Sequence, residues 1–329
     1  MKSEKSQLTL SDVLAARRTI EPHIWKTPLM PSPELGRFAG CQVHLKLECW
    51  QMTGSFKVRG ALNRMAALID GAEEVTEVVT ASAGNHGLGV AYAAKALSGP
   101  PATIFVPETA SATKLALLSA FDCQVQRAGA DYDASHASAE AYARSHDAFY
   151  LSAYDDRLVV AGQGTAALEI VRAMPGADLF LVPVGGGGLL AGTAVVARAT
   201  NPAARIVGVQ PEASPAAYLS FRDGHAHETY DAGPTICDGL AGGFGRVPFE
   251  IAADLVDQVI VVPEADVRRA VAWLLAREQL AVEASGAIAI APLLNGQLQA
   301  AGRQVVALLT GRNIDAHLLN EIVAEQGIP

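Results

Sequence analysis

Three short segments of this chain carry groups that could act together on one ligand. Lys57 lies within residues 53–60, a run rich in glycine, serine and threonine, and supplies an amine. Residues 82–87 form a segment of small residues that contains an amide side chain, and residues 185–188 are four consecutive glycines. An amine, an amide-containing turn and an anion-binding loop together indicate pyridoxal 5'-phosphate (PLP), held by the lysine as a Schiff base.

The glycine run has the clearest physical interpretation. Residues 179–184 have the apolar pattern of a buried strand, and the chain from Leu189 onward has that of a helix. Glycines between a strand and a helix let the backbone approach an anion closely, and the first N–H groups of the helix bind phosphate. The predicted phosphate-binding loop consists of Gly185, Gly186, Gly187 and Gly188.

A dinucleotide is the rival ligand for this loop. Gly186, Gly188 and Ala191 fit a loose version of the dinucleotide fingerprint, which expects an acidic residue at the end of the next strand. That position holds Gln210, and Glu212 follows two residues later. The dinucleotide interpretation therefore stays open, although the sequence supports it less well.

The position of Lys57 is unusual for a lysine that serves only stability. It follows Phe56 at the expected start of a helix, where the helix dipole disfavours a cation. The same position suits an amine that forms an imine, because burial and neighbouring groups can make it nucleophilic. Lys57 is therefore the candidate catalytic residue.

The turn after the expected strand 77–81 is a candidate substrate site. Its small residues expose backbone N–H groups at the start of another helix, which suits a carboxylate. Asn85 could donate a hydrogen bond to the phenolate oxygen of the cofactor or simply cap the helix, and His86 is interpreted as a polar cap rather than a catalytic residue. The candidate substrate-binding residues are Ser82, Ala83, Gly84, Asn85 and His86.

Thr310 follows the expected strand 305–309. A hydroxyl at the carboxyl end of a strand can form a hydrogen bond with the ring nitrogen of a cofactor. A simple turn explains residues 310–313 equally well, so both interpretations stay open.

The composition argues against several classes of protein. The 329 residues are 50% hydrophobic and 18% charged, which allows a large core in one or two domains. A formal net charge of −9 argues against a nucleic-acid partner, and no apolar run reaches the roughly 18 residues of a membrane span. Residues 1–6 lack the apolar core of a signal peptide, and the scattered cysteines predict reduced thiols in a cytoplasmic protein. The last expected helix ends near Pro329, which predicts no C-terminal regulatory domain.

Strand-like and helix-like segments alternate along the chain. This pattern predicts an α/β fold with parallel sheets covered by helices on both faces. In such sheets ligands bind beyond the carboxyl ends of the strands, and all three segments described first follow an expected strand. Strands are expected at 43–48, 77–81, 102–106, 124–127, 179–184, 206–210, 258–262 and 305–309, and helices at 56–68, 87–96, 165–172 and 189–199.

With these residues in view, the chain resembles the fold-type II PLP-dependent enzymes (tryptophan synthase β-like), and among them the serine/threonine dehydratase and serine racemase-like group. The resemblance covers nearly the whole chain, and the order and spacing of its motifs are specific. The motifs are Lys26-Thr27-Pro28-Leu29, Lys46-Leu47-Glu48, Ser55-Phe56-Lys57-Val58-Arg59-Gly60, residues 81–87, Gly162-Gln163-Gly164-Thr165, residues 183–188, Asp238-Gly239-Leu240-Ala241 and Glu283-Ala284-Ser285-Gly286-Ala287.

The resemblance implies two domains around a PLP cleft. Residues 1–70 and 152–329 would form the large domain and residues 71–151 the small one, and a homodimer is expected. Lys57 would hold PLP covalently, the glycine run would bind its phosphate, and Asn85 would contact its phenolate oxygen. The remaining residues near the cofactor ring would be Phe56, Gly239, Glu283 and Thr310, of which Thr310 would face the pyridine nitrogen.

The chain departs from this group at two sites. Racemases of the group tend to carry a serine where this chain has Ala83, and an alanine cannot move a proton to the far face of a substrate. Many relatives bind a divalent cation through carboxylates after the strand that ends near Val209, where this chain has Gln210 and Ala216. Since a hard cation prefers charged oxygen ligands, no metal is expected.

The sequence predicts a dehydratase, which is a carbon–oxygen lyase. It would convert a small β-hydroxy-α-amino acid of the serine or threonine type into a 2-oxo acid and ammonia. Several alternatives stay open: a dehydratase of 3-hydroxyaspartate or of an intermediate of ectoine breakdown, an amino-acid racemase, a β-replacement enzyme, and, from another class, a nucleotide-binding regulatory protein.

Overall fold

Short segments, most of them apolar, form the strands of this protein, and longer alanine-rich segments form most of its helices. The computed structural model describes residues 8–110 and 112–327, so residues 1–6, where no signal peptide is predicted, lie outside the described residues. The strands are β1 Leu29–Pro31, β2 Gln42–Lys46, β3 Val78–Ala81, β4 Ala102–Val106, β5 Gln124–Arg127, β6 Phe149–Tyr150, β7 Leu179–Pro183, β8 Arg205–Pro211, β9 Gln258–Val262 and β10 Gln304–Leu308. The α-helices are α1 Leu10–Ile20, α2 Pro33–Ala39, α3 Lys57–Ile69, α4 Asn85–Ala96, α5 Ala112–Leu118, α6 Tyr132–His146, α7 Arg157–Ala173, α8 Gly188–Thr200, α9 Ala216–Asp223, α10 Arg246–Ala252, α11 Glu264–Glu278, α12 Ala284–Ala287, α13 Ala291–Leu294 and α14 Ala316–Glu325.

The larger sheet has the strand order β1-β2-β10-β7-β8-β9. Its neighbouring strands are parallel, except that β1 runs antiparallel to β2. All five residues of β7 are buried. Leu179 and Leu181 pack into a cluster on one face of the sheet, and Phe180 and Val182 pack into a second cluster on the other face. Because side chains alternate along a strand, this arrangement requires cover on both faces, as the apolar pattern predicts.

The smaller sheet has the order β5-β4-β3-β6, and its strands are all parallel. Val78 and Ile104 pack on one face, while Val79 and Phe105 pack on the other. The strands of this sheet all lie between residues 78 and 150, inside the predicted small domain 71–151. The domain boundaries themselves stay a prediction.

The prediction of an α/β fold with parallel sheets is confirmed, and each of the eight expected strands is present within about two residues. Strands β1 and β6 were not predicted, because they have only three and two residues and β1 ends in a proline. Within the described residues, no helix combines the length and the apolar character needed to cross a membrane.

The predicted start of the seventh helix was wrong by eight residues. Helix α7 begins at Arg157 rather than at Thr165. Asp156 caps it, since its side chain accepts hydrogen bonds from the N–H groups of Leu158 and Val159. Gly162 and Gly164, which precede the expected start, both lie inside the helix.

Candidate active site

Lys57 is the first residue of α3, and the segment just after β10 holds the start of this helix in place. The N–H of Phe56 donates to the carbonyl oxygen of Thr310 over 3.1 Å, so the residue before the helix is tied to the large sheet. The Nζ of Lys57 then lies 3.2 Å from the carbonyl oxygen of Ala153, which accepts a hydrogen bond from it. The amine therefore lies next to the segment that leads from β6 into α7.

The surroundings of Lys57 favour its neutral form. Its side chain keeps partial access to the cleft, but the protein around it displaces most of the water. Burial lowers the pKa of Lys57 to about 8, and the negative charge of Glu283 opposes this shift in part. An amine with this pKa has a substantial neutral fraction near pH 8, and only the neutral form is a nucleophile or a base.

The glycine run connects β7 to α8, as predicted. Gly187 has φ +95°, a left-handed conformation that favours glycine, and a Cβ added there would lie 2.3 Å from the ring of Phe244. A Cβ on Gly186 would lie 2.2 Å from the ring of Tyr154, the residue after Ala153. At Gly186 and Gly187 the loop is therefore packed so closely that only glycine fits. The first N–H groups of α8 have no partner within the helix and can bind an anion.

This packing brings the amine and the glycine run together. Residues 153 and 154 lie between them, since Ala153 accepts the hydrogen bond from Lys57 and Tyr154 packs on Gly186. On the other side of the loop, a Cβ on Gly185 would lie 2.9 Å from the carbonyl oxygen of Gly239. The predicted phosphate loop thus adjoins both the lysine and the predicted ring-binding residue Gly239.

Asn85 belongs to a chain of polar side chains that reaches the large sheet. Its Nδ2 donates to Oε1 of Glu283 over 2.7 Å, and its Oδ1 accepts a hydrogen bond of 2.6 Å from Nδ2 of Asn313. Asn313 also donates to the carbonyl oxygen of Thr53. The amide nitrogen of Asn85 carries two hydrogens, and the bond to Glu283 uses one of them. The second hydrogen can be donated to a ligand.

Thr310 is buried at the end of β10, with 3% of its surface exposed. Its hydroxyl donates to the carbonyl oxygen of Ser285 over 3.4 Å, and the hydroxyl oxygen of Ser285 accepts a hydrogen bond of 3.0 Å from the N–H of Gly239. Thr310, Ser285 and Gly239 therefore form one connected group.

The candidate substrate turn precedes α4, with Gly84 as the residue before the helix. Ser82, Ala83, Gly84 and Asn85 are partly accessible, and Ser82 Oγ accepts a hydrogen bond from the N–H of Gly84. His86 differs from the prediction of a polar cap. Its side chain is buried, its Nε2 is bonded to the carbonyl oxygen of Leu151, and its pKa falls to about 3 because of burial and the nearby charge of Lys57. Only the backbone of His86 is available to a substrate.

Four residues of this site had no predicted role: Ala153, Tyr154, Ser285 and Asn313. Ser285 and Asn313 lie in segments that the sequence singles out, but nothing local indicates what their side chains contact. Ala153 and Tyr154 follow the two-residue strand β6, which gave no sequence signal of its own. Because β6 could not be recognised in the sequence, a search for residues that follow each strand would have missed them.

Gln210 lies where the resemblance implies a cation ligand, and both polar atoms of its side chain form hydrogen bonds with the protein. Its Oε1 accepts hydrogen bonds from the N–H groups of Ala217 and Tyr218, and its Nε2 donates to the carbonyl oxygen of Val184. Among the residues that the structure describes, no group of three or more His, Cys, Asp or Glu side chains is placed to hold a metal ion. The expectation of no metal stays a prediction.

The residues present fit PLP. A glycine loop that admits no side chain at Gly186 or Gly187 precedes a helix, which suits a phosphate, and an amine of lowered pKa lies beside it. Asn85 and Thr310 add hydrogen-bond donors at the same cleft. In β8, Gln210 occupies the place where a dinucleotide site would have its acidic residue, and Glu212, the first residue after β8, is exposed.

Comparison with known proteins agrees with this geometry. Residues 20–311 match the family described as "Pyridoxal-phosphate dependent enzyme". The chain belongs to this family. L-threonine ammonia-lyase of Thermotoga maritima is 37% identical over 317 residues, which cover 96% of this chain and 78% of that protein. The processed form of threonine deaminase isoform 2 from Solanum lycopersicum superposes with a TM-score of 0.90 at 30% identity, covering 97% of this chain and 92% of the other. Maize serine racemase superposes with a TM-score of 0.88 at 30% identity, covering 97% and 98%.

These matches confirm the predicted family, fold class and cofactor. They do not test the role of any single residue, so the site residues named above stay predictions that the geometry supports.

Replacing Gly187 by alanine is expected to lower the affinity for PLP at least about tenfold, because the new methyl group would collide with Phe244 and force the loop away from its left-handed conformation. The measurement is a PLP titration followed by absorbance. Gly224→Ala is the matched control: Gly224 also has a left-handed φ of +75°, but no atom lies within 4 Å of the added carbon. The control is expected to lose roughly 1 kcal/mol of stability and no PLP affinity. A folded Gly187→Ala protein with unchanged affinity would place the phosphate elsewhere.

The rate at which cofactor-free protein binds PLP covalently is expected to rise with pH and to level off above about 8. The reason is that the neutral amine reacts, and the pKa of Lys57 is lowered to about 8, whereas an ordinary lysine has a pKa near ~10.4. Glu283→Gln removes the negative charge that opposes this shift, so the midpoint should move to lower pH. Stopped-flow absorbance between pH 6.5 and 10 would give both midpoints. A midpoint near that of free lysine would contradict the assignment.

Proposed function

We propose that this protein is a PLP-dependent ammonia-lyase that converts a β-hydroxy-α-amino acid of the serine or threonine type into a 2-oxo acid and ammonia. The observation that carries this proposal is the amine of Lys57, whose pKa is lowered to about 8 next to the glycine run and Asn85. Two of the similar proteins, the threonine ammonia-lyase and the threonine deaminase, bear names with the same activity.

The residues would divide the work of binding and proton transfer. When bound, PLP withdraws electrons from Cα of an amino acid and so makes its proton acidic. Gly185–188 and the start of α8 would hold the phosphate, Asn85 would donate to the phenolate oxygen, and the hydroxyl of Thr310 would turn to the ring nitrogen. The N–H groups of residues 82–86 would bind the substrate carboxylate.

Lys57 would act as the base. Its free, neutral Nζ would take the proton from Cα, and the β-hydroxyl group would leave Cβ as a carbon–carbon double bond forms; in total, the proton from Cα and the hydroxide from Cβ make one molecule of water. The released enamine adds water and loses ammonia, which leaves the 2-oxo acid. His86 is not available as an acid in this step, since its pKa is about 3 and its side chain is buried.

The side chain that the enzyme recognises is a separate question. Serine, threonine, 3-hydroxyaspartate and a hydroxylated intermediate of ectoine breakdown all carry the β-hydroxyl group that the proposed reaction needs. The test is a panel of these compounds scored by ammonia and 2-oxo acid together. Formation of neither product from any of them would refute the proposed activity.

We also propose a homodimer in the cytoplasm. The four cysteines are free thiols, which supports a reducing compartment. Trp25 and Trp50 expose 56% and 43% of their surfaces and line one depression. Exposed aromatic side chains of this kind support a face that a second subunit covers. Light scattering of the holoenzyme would report the mass: twice that of the chain is expected, and a monomer would contradict the proposal.

A racemase is the second candidate, since maize serine racemase has the same fold. Inversion at Cα needs a proton donor on the face opposite to Lys57, and in racemases of this group a serine is expected where this chain has Ala83. Ala83 is partly accessible in the substrate turn but has no proton to give. Elimination therefore fits the residues better.

Lys57→Ala is expected to lower the rate of ammonia release at least about a thousandfold, while the protein stays folded. The expectation follows from its double role as covalent partner and base. Thermal unfolding and circular dichroism would show that the fold is intact. Retention of near-normal turnover would overturn the assignment of Lys57.

The enzyme is expected to eliminate much faster than it racemises. The experiment is to incubate an accepted L-amino acid in deuterium oxide and to follow chirality and 2-oxo acid in the same sample. Ala83→Ser should raise the racemisation rate, because it restores a proton donor. Formation of the D-enantiomer as fast as the 2-oxo acid by the unaltered protein would show that another group acts on the far face.

A further inference from the structure

Several of the motifs on which the resemblance to fold-type II enzymes rests have no role in the cofactor site. The structure nevertheless brings them together behind Lys57. Four ionised side chains form this cluster, which we call the buried charge cluster. Two are cations and two are carboxylates, and they come from β2, the turn after it, α3 and α7. The members are Lys46, Glu48, Arg59 and Glu169.

Arg59 is the centre of the cluster and has no exposed surface. Its Nε and Nη2 donate to the two carboxylate oxygens of Glu48, over 2.7 and 2.9 Å. Its Nη1 donates to Glu169 over 2.8 Å and to the hydroxyl of Thr165 over 3.2 Å. A two-pronged guanidinium–carboxylate pair fixes orientation as well as distance. Arg59 therefore joins α3 both to the turn after β2 and to α7.

The other members of the cluster balance these charges. Nζ of Lys46 lies 2.5 Å from Glu169 and 2.8 Å from the carbonyl oxygen of Thr27, and the hydroxyl of Thr27 donates to Glu48 over 2.5 Å. Two positive and two negative charges thus cancel within the interior. Removal of one member would leave an uncompensated charge, which is costly in a buried site.

Arg59 lies two residues from Lys57, in a first turn whose backbone is also held by the bond from Phe56 to Thr310 and by a bond of 3.3 Å from the N–H of Gly60 to Gln163. No side chain caps α3, and its first turn contains no acidic residue. The first turn instead packs on α7, where a Cβ on Gly162 would lie 2.5 Å from the carbonyl oxygen of Arg59. This close approach lets the guanidinium reach Thr165 and Glu169. Arg59 makes four side-chain hydrogen bonds to other elements, compared with the single bond that Gln163 accepts from this turn.

We propose that Arg59 is a positioning residue that fixes the first turn of α3 through Glu48 and Glu169, so that the amine of Lys57 is held beside Ala153 and the glycine run. Arg59 acts through Lys57 and does not touch the reacting atoms. The proposal rests on the role of Lys57 given above. It also explains why Lys46-Leu47-Glu48, Val58-Arg59-Gly60 and Gly162-Gln163-Gly164-Thr165 occur together in one chain.

The test is Arg59→Lys in the full-length protein, because lysine keeps the charge but cannot form the two-pronged bond. We expect kcat to fall at least about tenfold while KM changes by less than about threefold, since substrate contacts are unaltered and only the position of the base is lost. We also expect faster amide hydrogen exchange over residues 56–60 in the cofactor-free protein, with exchange in β7 and β10 unchanged.

Arg64→Lys is the matched control in the same helix. Arg64 pairs with Asp156 over 2.8 Å and lies over the ring of Phe149, outside the buried charge cluster. This variant should keep the kcat and the exchange rates of residues 56–60. Equal losses in both variants would overturn the proposal, because they would show a general sensitivity of α3.

Glu169→Gln gives a second, milder test. It removes one of the partners of Arg59 at a position that keeps 13% exposure, and it decides the question if Arg59→Lys does not fold. A folded variant of either kind with unchanged kcat and unchanged exchange over 56–60 would overturn the role of Arg59. Turnover that survives in Lys57→Ala would instead overturn the role of Lys57, and formation of neither product by the unaltered protein would refute the proposed activity, so these failures are distinguishable from a failure of the role of Arg59.

Discussion

The amine of Lys57 has to lose its proton while the chain around it holds it in one place. Burial disfavours the ammonium form, and the start of α3 adds the positive end of a helix dipole beside it. Glu283 opposes these effects, so that the pKa settles near 8 rather than lower. A desolvated lysine at a helix start does not stabilise the folded protein. Contacts from the rest of the fold therefore have to hold the amine in its position.

The two sheets supply that restraint from different directions. The end of β10 binds Phe56 through Thr310, and the segment after β6 offers the carbonyl oxygen of Ala153 to the amine. The turn after β7 places the glycine run against Tyr154. Each contact uses the carboxyl end of a parallel strand, which is where backbone groups and helix starts converge in this class of fold. The buried charge cluster then holds the same helix from behind.

Local features of the sequence were enough to predict part of this site. The glycine run was predictable because a strand, four glycines and a helix follow each other directly, and the physics of phosphate binding is contained in that order. Lys57, Asn85 and Thr310 were each predictable as residues at the end of a strand or the start of a helix. Most of the eight longer strands were predictable from their apolar residues, although β5 contains only one, Val125.

The remaining contacts could not be predicted because their partners are far apart in the chain. Asn313 reaches Asn85 across 228 positions, and Arg59 reaches Glu169 across 110. Nothing near Asn313 or Glu169 in the sequence indicates such a partner. The start of α7 was mistaken for a related reason: Gly162 serves a close contact between helices, which is invisible without the second helix.

Chemical trapping of the cofactor tests the central claim most directly. Holoenzyme is reduced with borohydride, digested with trypsin and analysed by mass spectrometry. Attachment at Lys57 predicts one labelled peptide that spans residues 47–59, because trypsin cleaves after Lys46 and Arg59 but not after a modified Lys57. A label on any other lysine, or none at all in a protein that contains PLP, would contradict the account of this site.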